Sequence, residues 1–315
     1  MATSEARTPL YGEKILVTGP AGRVAFPLAT RLARDNEVWG IARFRDAGDR
    51  ERVEEAGITT RMVDLAAPDW SGLPTDFTIL LHIAAAIGPE LDFDEAIRVN
   101  AVGTGRLMSH FRSARACLVA SSRVVYVQPV DPAYAVRESD PLGGESPLPY
   151  SPTYRVSKLG QEAVARFSAE AFDLPTTIAR LNVVYGDNGG LPALLLEKLL
   201  ANEPIALGQG GASLCSPIHH DDIFDQLPGL LAGAAVPATI TNWAGDEAVD
   251  LREVCRYMAD LLGREVAFEE SAEALQSGLS DPTRRQALAG RCHVDWHDGV
   301  RSMVAALHPE LPLHV

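Results

Sequence analysis

The chain is predicted to fold as an α/β protein, a doubly wound parallel sheet followed by a smaller C-terminal region. Three observations carry this. Short apolar runs alternate with helical patterns through the first half, and such alternation builds βαβ units whose parallel strands are covered on both faces. A glycine-containing turn separates the first apolar run from the first helical pattern. Finally, 315 residues with 46% hydrophobic content suffice for one large or two closely joined domains, at roughly 100–200 residues each.

In chain order, Lys14–Thr18 (KILVT) reads as a buried strand and Gly22–Arg34 as a helix with Val24, Leu28 and Leu32 on its apolar face. Glu37–Ala42 is a second strand, Asp46–Ala56 a polar helix and Thr59–Val63 a third strand. Thr78–Ile83, Ala116–Ala120 and Thr177–Leu181 continue the series, with helices over Phe93–Phe111 and Thr153–Phe172. The Pro-rich stretch Gln128–Pro152 is a long connection of the kind that forms lids and binding loops. Beyond Gly186, Leu191–Ala201 and Asp250–Gly263 read as helices. The second opens with Asp250 three residues before Glu253, ends at Gly263, and carries a core stripe of Val254, Met258, Leu261 and Leu262. Ala238–Trp243 reads as a strand that rejoins the sheet. The expected organisation is a tail over 1–11, a sheet domain over 12–186 and a C-terminal region over 187–315.

Composition excludes several classes of function. The net charge is −14, from 42 acidic and 28 basic residues, and such a surface repels phosphate backbones and anionic membranes. Neither a nucleic acid nor a membrane is an expected partner. The longest apolar stretch, Thr78–Gly88, is interrupted by His82 and too short to span a bilayer. Met1–Tyr11 is mixed and polar, and Cys117, Cys215, Cys255 and Cys292 are widely separated. A cytoplasmic location without disulfides or a zinc ribbon is expected. Lysine occurs only at Lys14, Lys158 and Lys198, the other 25 basic residues being arginine, so a lysine beside a chemical motif stands out in this chain.

Thr18-Gly19-Pro20-Ala21-Gly22-Arg23-Val24-Ala25 joins the first strand to the first helix. Gly19 permits a tight turn, Gly22 lets backbone approach a pyrophosphate, and Ala25 allows the helix to pack closely on the sheet. Phosphates then meet free N–H groups at the positive end of the helix, with Gly19, Ala21, Gly22, Arg23 and Val24 around them. The pattern predicts a Rossmann-type dinucleotide site. An acid at the end of the second strand would select the free ribose of NAD. Here the strand ends Gly40-Ile41-Ala42-Arg43, and a guanidinium favours the 2′-phosphate of NADP, with Arg23 as a second positive charge. The expectation is therefore NADP in preference to NAD.

Tyr154-Arg155-Val156-Ser157-Lys158 places a phenol and an ammonium four residues apart on one helical face. At about 5 Å and an effective dielectric of ~20, the ammonium favours phenolate by roughly 3 kcal/mol. The pair can then exchange a proton with a carbinol or carbonyl while hydride moves to or from a nicotinamide. Ser121-Ser122 follows a predicted strand end, where a hydroxyl can hold the substrate oxygen.

Glycine loop, serine and Tyr-x-x-x-Lys together resemble the extended short-chain dehydrogenase/reductases, the NAD-dependent epimerase/dehydratase superfamily, over about Lys14–Val304. The resemblance implies that Asp64-Leu65 contacts adenine and that His82-Ile83-Ala84 lines the cofactor. It implies that Asn100 lies near the active site, and that Arg180–Gly186 leads into the substrate region with Leu181 at the cofactor. It favours Ser122, four residues before Tyr126, as the catalytic serine, with Tyr154 as acid/base and Lys158 also holding the nicotinamide ribose. It further implies a homodimer formed through the helices Phe93–Phe111 and Thr153–Phe172.

Departures from the family narrow the substrate. The 4,6-dehydratases carry Asp and Glu directly after the catalytic hydroxyl residue, where this chain has Arg123 and Val124. Nucleotide-sugar epimerases carry Asn at the position of Val183 and a diphosphate-binding Arg at that of Cys215. Losing that contact costs about 1.5–3 kcal/mol. His219-His220-Asp221-Asp222 is not expected to bind a metal, because neighbours on a strand point to opposite faces. The leading expectation is an NAD(P)-dependent oxidoreductase acting on a small hydroxyl or carbonyl compound. The alternatives are a sugar or nucleotide-sugar epimerase with tightly held cofactor, and a cofactor-sensing regulator without activity.

Overall fold

The computed structural model describes residues 9–145, 148, 151–208, 213–271, 274 and 276–314. Seven strands form the central sheet: β1 Lys14–Thr18, β2 Glu37–Ala42, β3 Thr59–Met62, β4 Ile79–His82, β5 Ala116–Ser122, β6 Thr176–Leu181 and β7 Thr239–Trp243. Their order is β7-β6-β5-β4-β1-β2-β3, parallel throughout. The chain winds outward from β1 to β3 and then returns to β4 on the other side of β1. That reversal opens a crevice beyond the carboxyl ends of β1 and β4. β7 rejoins the sheet beside β6, pairing Thr239 with Thr177 through to Trp243 with Leu181.

Strand alternation divides the interior in two. Ile15 and Val17 of β1 face a cluster built with Leu28 and Leu32 of α1 (Ala25–Leu32) and Val53 of α2 (Ala47–Glu55). Leu16, between them, faces the opposite cluster with Leu107, Met108, Phe111 and Ala165. The helix expected over Phe93–Phe111 is built in three parts. These are α3 (Phe93–Ile97), a π-helical turn over Arg98–Val102 and α4 (Gly103–His110). The wider π turn carries the buried Asn100, a departure from α geometry that recurs at functional sites. α5 (Tyr154–Phe172) runs nineteen residues and ends on Asp173 with φ 51°.

The C-terminal region contributes α6 (Leu191–Leu200), α7 (His220–Ala232), α8 (Leu251–Leu262), α9 (Thr283–Ala289) and α10 (Trp296–Leu307). A third core gathers Leu196 and Leu199 of α6, Val254 and Met258 of α8, and Met303 and Val304 of α10. Asp250 caps α8 by accepting from Arg252 N at 2.9 Å, and Gly263 closes it at φ 60°. One expectation is corrected here. Only Ile218–His219 is strand, and His220 opens α7, whose turn displaces the following carboxylates. Of the Pro-rich connection, residues 146, 147, 149 and 150 lie outside the described residues. No helix among the described residues is long and apolar enough to cross a membrane.

Candidate active site

The carboxyl ends of β1, β4, β5 and β6 lie side by side, because the register pairs Thr18 with His82, His82 with Val119 and Ser122 with Leu181. A buried chain of hydrogen bonds crosses beneath them. The Thr18 hydroxyl accepts from the amides of Ile83 (3.1 Å) and Ala84 (2.9 Å) and meets His82 Nδ1 at 2.9 Å. His82 Nε2 meets Thr104 Oγ1 at 2.7 Å, and that hydroxyl donates to Asn100 O at 2.6 Å. Since Thr104 donates onward, it receives from His82 Nε2–H, and His82 Nδ1 accepts from Thr18. The imidazole is thus held neutral in one tautomer. Burial, and next the charge of Lys158, push it down to about 3.

The chain continues through Gln161, whose Nε2 donates to Thr104 Oγ1 at 3.3 Å and whose Oε1 accepts from Lys158 Nζ at 2.7 Å. Lys158 Nζ also donates to Ala120 O at 2.7 Å and lies 5.7 Å from the centroid of the Tyr154 ring. Burial pushes this amine down to about 7 against the opposing charge of Glu162. Ser122 ends β5 half-buried, and its Oγ accepts from Val124 N at 3.3 Å. Ser121, on the opposite side of the strand, is buried and donates to Glu162 at 2.6 Å. Asn100 accepts from Ala86 N at 2.7 Å, while its amide donates to Ala86 O and to Ser157 Oγ, each at 2.9 Å. Ser157 in turn donates to Tyr154 O at 2.9 Å. Asn100 therefore joins the β4 end to the first turn of α5.

At the glycine loop, Gly19 adopts φ +66°, and a Cβ there would lie 3.2 Å from Ala84 Cα. Gly22 donates to Gly19 O at 2.9 Å, and a Cβ on it would lie 3.1 Å from that oxygen. No side chain caps α1 at Val24; in its first turn Phe26 N donates to Gly22 O at 2.9 Å and Pro27 has no N–H, which leaves the Ala25 amide at the positive end of the helix to face an anion. Ala21 accepts from Arg52 through its carbonyl at 2.8 Å, and Arg23 is exposed. Arg43 stands half-buried just past β2. Asp64 is exposed and caps a turn by accepting from Ala66 N at 2.9 Å, whereas Leu65 is buried against Gly103. The structure also brings in a residue the sequence did not mark. Asn188, ahead of α6, donates to Arg23 O at 3.0 Å, so 187–190 crosses the glycine loop.

Val183 packs against the third core, which includes the buried Cys215. His219 and Asp221 contact each other, whereas Asp222 turns to His293. Asp221 pairs with Arg31 of α1, Asp222 accepts from His293 N at 2.8 Å, and His219 Nδ1 accepts from Asp221 N at 3.2 Å. Gln161, Thr104 and Thr18 were also not marked by sequence. Polar side chains on otherwise buried faces are the signal they offered.

Residues 15–229 match the model of the NAD dependent epimerase/dehydratase family. The dTDP-L-rhamnose 4-epimerase of Burkholderia thailandensis is 28% identical over 298 residues, covering 79% of this chain and 81% of its own. The Bacillus cereus UDP-glucuronic acid 4-epimerase, solved with UDP-glucuronic acid and NAD, superposes with a TM-score of 0.80. Its identity is 19%, and the match covers 94% of this chain and 99% of that one. The Thermus thermophilus UDP-glucose 4-epimerase, solved with NAD, gives 0.77 at 22% identity, covering 93% and 98%.

Proposed function

This chain belongs to the NAD dependent epimerase/dehydratase family, and on that premise we propose that it is a sugar epimerase that keeps its nicotinamide dinucleotide through each cycle. The observation that carries the reading is the contact of Asn188 with the glycine loop. A dinucleotide held on Gly19–Val24 would be retained by this strap, and an epimerase needs such retention because the hydride it removes must be returned. The reading replaces the expected net oxidoreductase, for which the dinucleotide must exchange at every turnover. The named epimerase relative supports it.

The site fits the group. Bare backbone at Gly19 and Gly22 and the uncapped start of α1 suit a pyrophosphate. Asp64 and Leu65 would meet the adenine, Ile83, Ala84 and Leu181 would line the cleft, and Lys158 would hold the nicotinamide ribose. When bound, the dinucleotide supplies reversible hydride storage. Tyr154 Oη takes the proton from the carbinol oxygen and later restores it. Ser122 Oγ hydrogen-bonds that same oxygen. Lys158, fixed by Ala120 O and Gln161 with its Nζ 5.7 Å from the ring centroid, would favour the phenolate through its charge. The phenolate in turn favours the protonated amine.

At the adenosine end Arg43 offers a guanidinium to a 2′-phosphate, so the proposal keeps NADP beside the NAD found in the Bacillus and Thermus enzymes. Phe93, Ile97 and Val102 on the α3–α4 helix and Val156 and Phe167 on α5 are exposed apolar side chains. They support a homodimer through these faces. Four free cysteines support a cytoplasmic setting. The test is to dialyse the purified protein, assay released dinucleotide, and incubate the protein with nucleotide sugars. Stoichiometric dinucleotide with an epimerised product and no net change in reduced-nicotinamide absorbance is the expected result. Loss of the dinucleotide on dialysis, with net oxidation of added NADPH, would overturn the reading.

A further inference from the structure

Arg123 and Arg155 directly follow Ser122 and Tyr154 in the chain, and both are buried, at 9% and 2% exposure. Arg155 donates through Nε to Val124 O and through Nη1 to Gly143 O at 2.8 Å. Arg123 donates through Nη1 to Gln128 Oε1 at 3.1 Å, and Gln128 donates to Ser277 O at 2.6 Å. Arg123 Nε and Nη2 and Arg155 Nη2 have no partner, and neither guanidinium pairs with a carboxylate among the described residues. Burial, and next the charge of Arg155, push Arg123 down to about 10. Two like charges are thus held in the interior with donors unsatisfied, an arrangement that calls for an anion.

Their surroundings say where the anion belongs. The Arg123 guanidinium lies against Gly278, where a Cβ would fall 2.7 Å from its Cζ and Nε. Gly278 in turn bridges to Cys215 in the C-terminal region. Arg123 therefore sits in the seam between the sheet's carboxyl edge and that region, one residue from the hydroxyl that holds the substrate oxygen. We infer that Arg123 and Arg155 form a subsite for a carboxylate carried by the sugar ring itself, so that the substrate is a uronate. A planar two-oxygen anion matches the unpaired Nε and Nη2 of the Arg123 guanidinium fork. The Val124 backbone joins the two places, its N–H meeting Ser122 Oγ at 3.3 Å and its carbonyl accepting from Arg155 Nε, which puts the anion one peptide from the reacting ring and not on a distant phosphate. The inference rests on the epimerase reading for the place of the reacting oxygen.

UDP-glucuronic acid and UDP-glucose differ at one carbon, carboxylate against hydroxymethyl, and serve as probes. Equilibrium binding is measured on the whole protein and on Arg123→Met and Arg123→Lys. The native protein binds the uronate about 10- to 100-fold more tightly. Arg123→Met removes that preference, the loss falling on the uronate. Arg123→Lys keeps part of it, having charge without the fork, and decides the matter if the Met variant does not fold. Equal native affinities, or a parallel loss of both ligands in Arg123→Met, overturn the subsite. Product is scored separately. Arg123-dependent preference without epimerisation removes the epimerase reading and leaves the subsite, while equally efficient epimerisation of both sugars does the reverse.

Discussion

Two buried regions beside the sheet treat positive charge in opposite ways. Around Glu162, Arg180 is fully buried and forms a two-pronged pair, Nε to Oε1 at 2.8 Å and Nη2 to Oε2 at 2.7 Å. Ser121 adds a third donor to the same carboxylate. Burial would lower Arg180, but Glu162 overcomes it and the guanidinium is raised; Glu162 is lowered by the same pairing despite its own burial. In the seam, Arg123 and Arg155 have neutral carbonyl partners and N–H groups left over. A compensated charge completes a fold, whereas an uncompensated one is a fold waiting for a ligand. The same distinction separates Ser121, bound to Glu162, from Ser122 at the open edge.

The largest effect tests whether chemistry lies on the open side. Tyr154→Phe is expected to lower turnover by about 10²–10⁴-fold, with dinucleotide content and melting temperature close to native. Near-native epimerisation by this variant would remove the acid/base role. Next comes the compensated pair itself. Arg180→Met takes the two-pronged partner from the buried Glu162, leaving it Ser121 and the outer Arg166 at 3.5 Å, and is expected to cost about 3 kcal/mol in urea unfolding. Arg123→Met removes an uncompensated charge and is expected to leave unfolding free energy unchanged or raised. Equal losses in the two variants would erase the contrast between the regions.

A smaller effect concerns a buried group whose partners are neutral. His82 is held near 3 when folded and has an ordinary value of 6.5. Its contribution is therefore fully present above pH 6.5 and declines as pH falls toward 3, by at most about 1.4 kcal/mol per pH unit. Urea unfolding at several pH values should show His82→Gln losing less stability than native between pH 6.5 and 4. Parallel curves would mean that the histidine is not buried neutral. Lys158, lowered to about 7, has the corresponding window between pH 7 and its ordinary 10.5, where stability rises with pH.

How much of this was legible depended on whether local pattern or long-range contact set the outcome. β1 and β2 were read residue for residue, since a buried strand between turn signals has few alternatives. Asp250 and Gly263 bounded α8 because capping is local. α10 escaped notice through Gly299, which reads as a helix breaker, yet a Cβ there would fall 2.6 Å from Tyr185 Oη. The π turn at Asn100 and the helical start at His220 also answer to tertiary partners, Ala86 and the β-bridged Tyr185–His219 pair. At the site, serine, tyrosine and lysine were legible by spacing. The seam was not, because Arg123 becomes a buried cation only when Gly278, 155 residues further on, closes over it.

The smallest effect lies at the adenosine end, where Arg43 stands half-buried just past β2. If its guanidinium reads a 2′-phosphate, Arg43→Ala removes one charge-assisted contact from NADP and none from NAD. The expected outcome is about a tenfold weaker NADP affinity, near 1.4 kcal/mol at a partly solvated position, with NAD changed by less than about twofold. Reconstitution of dinucleotide-free protein, followed by titration with each dinucleotide, measures both. Equal weakening of NAD and NADP would make Arg43 a strand-end charge with no part in choosing the cofactor. Since an epimerase returns every hydride it takes, that outcome would leave the proton chemistry at Tyr154 intact. Dinucleotide choice and epimerisation are thus separable here, because one is set past β2 and the other between β5 and α5.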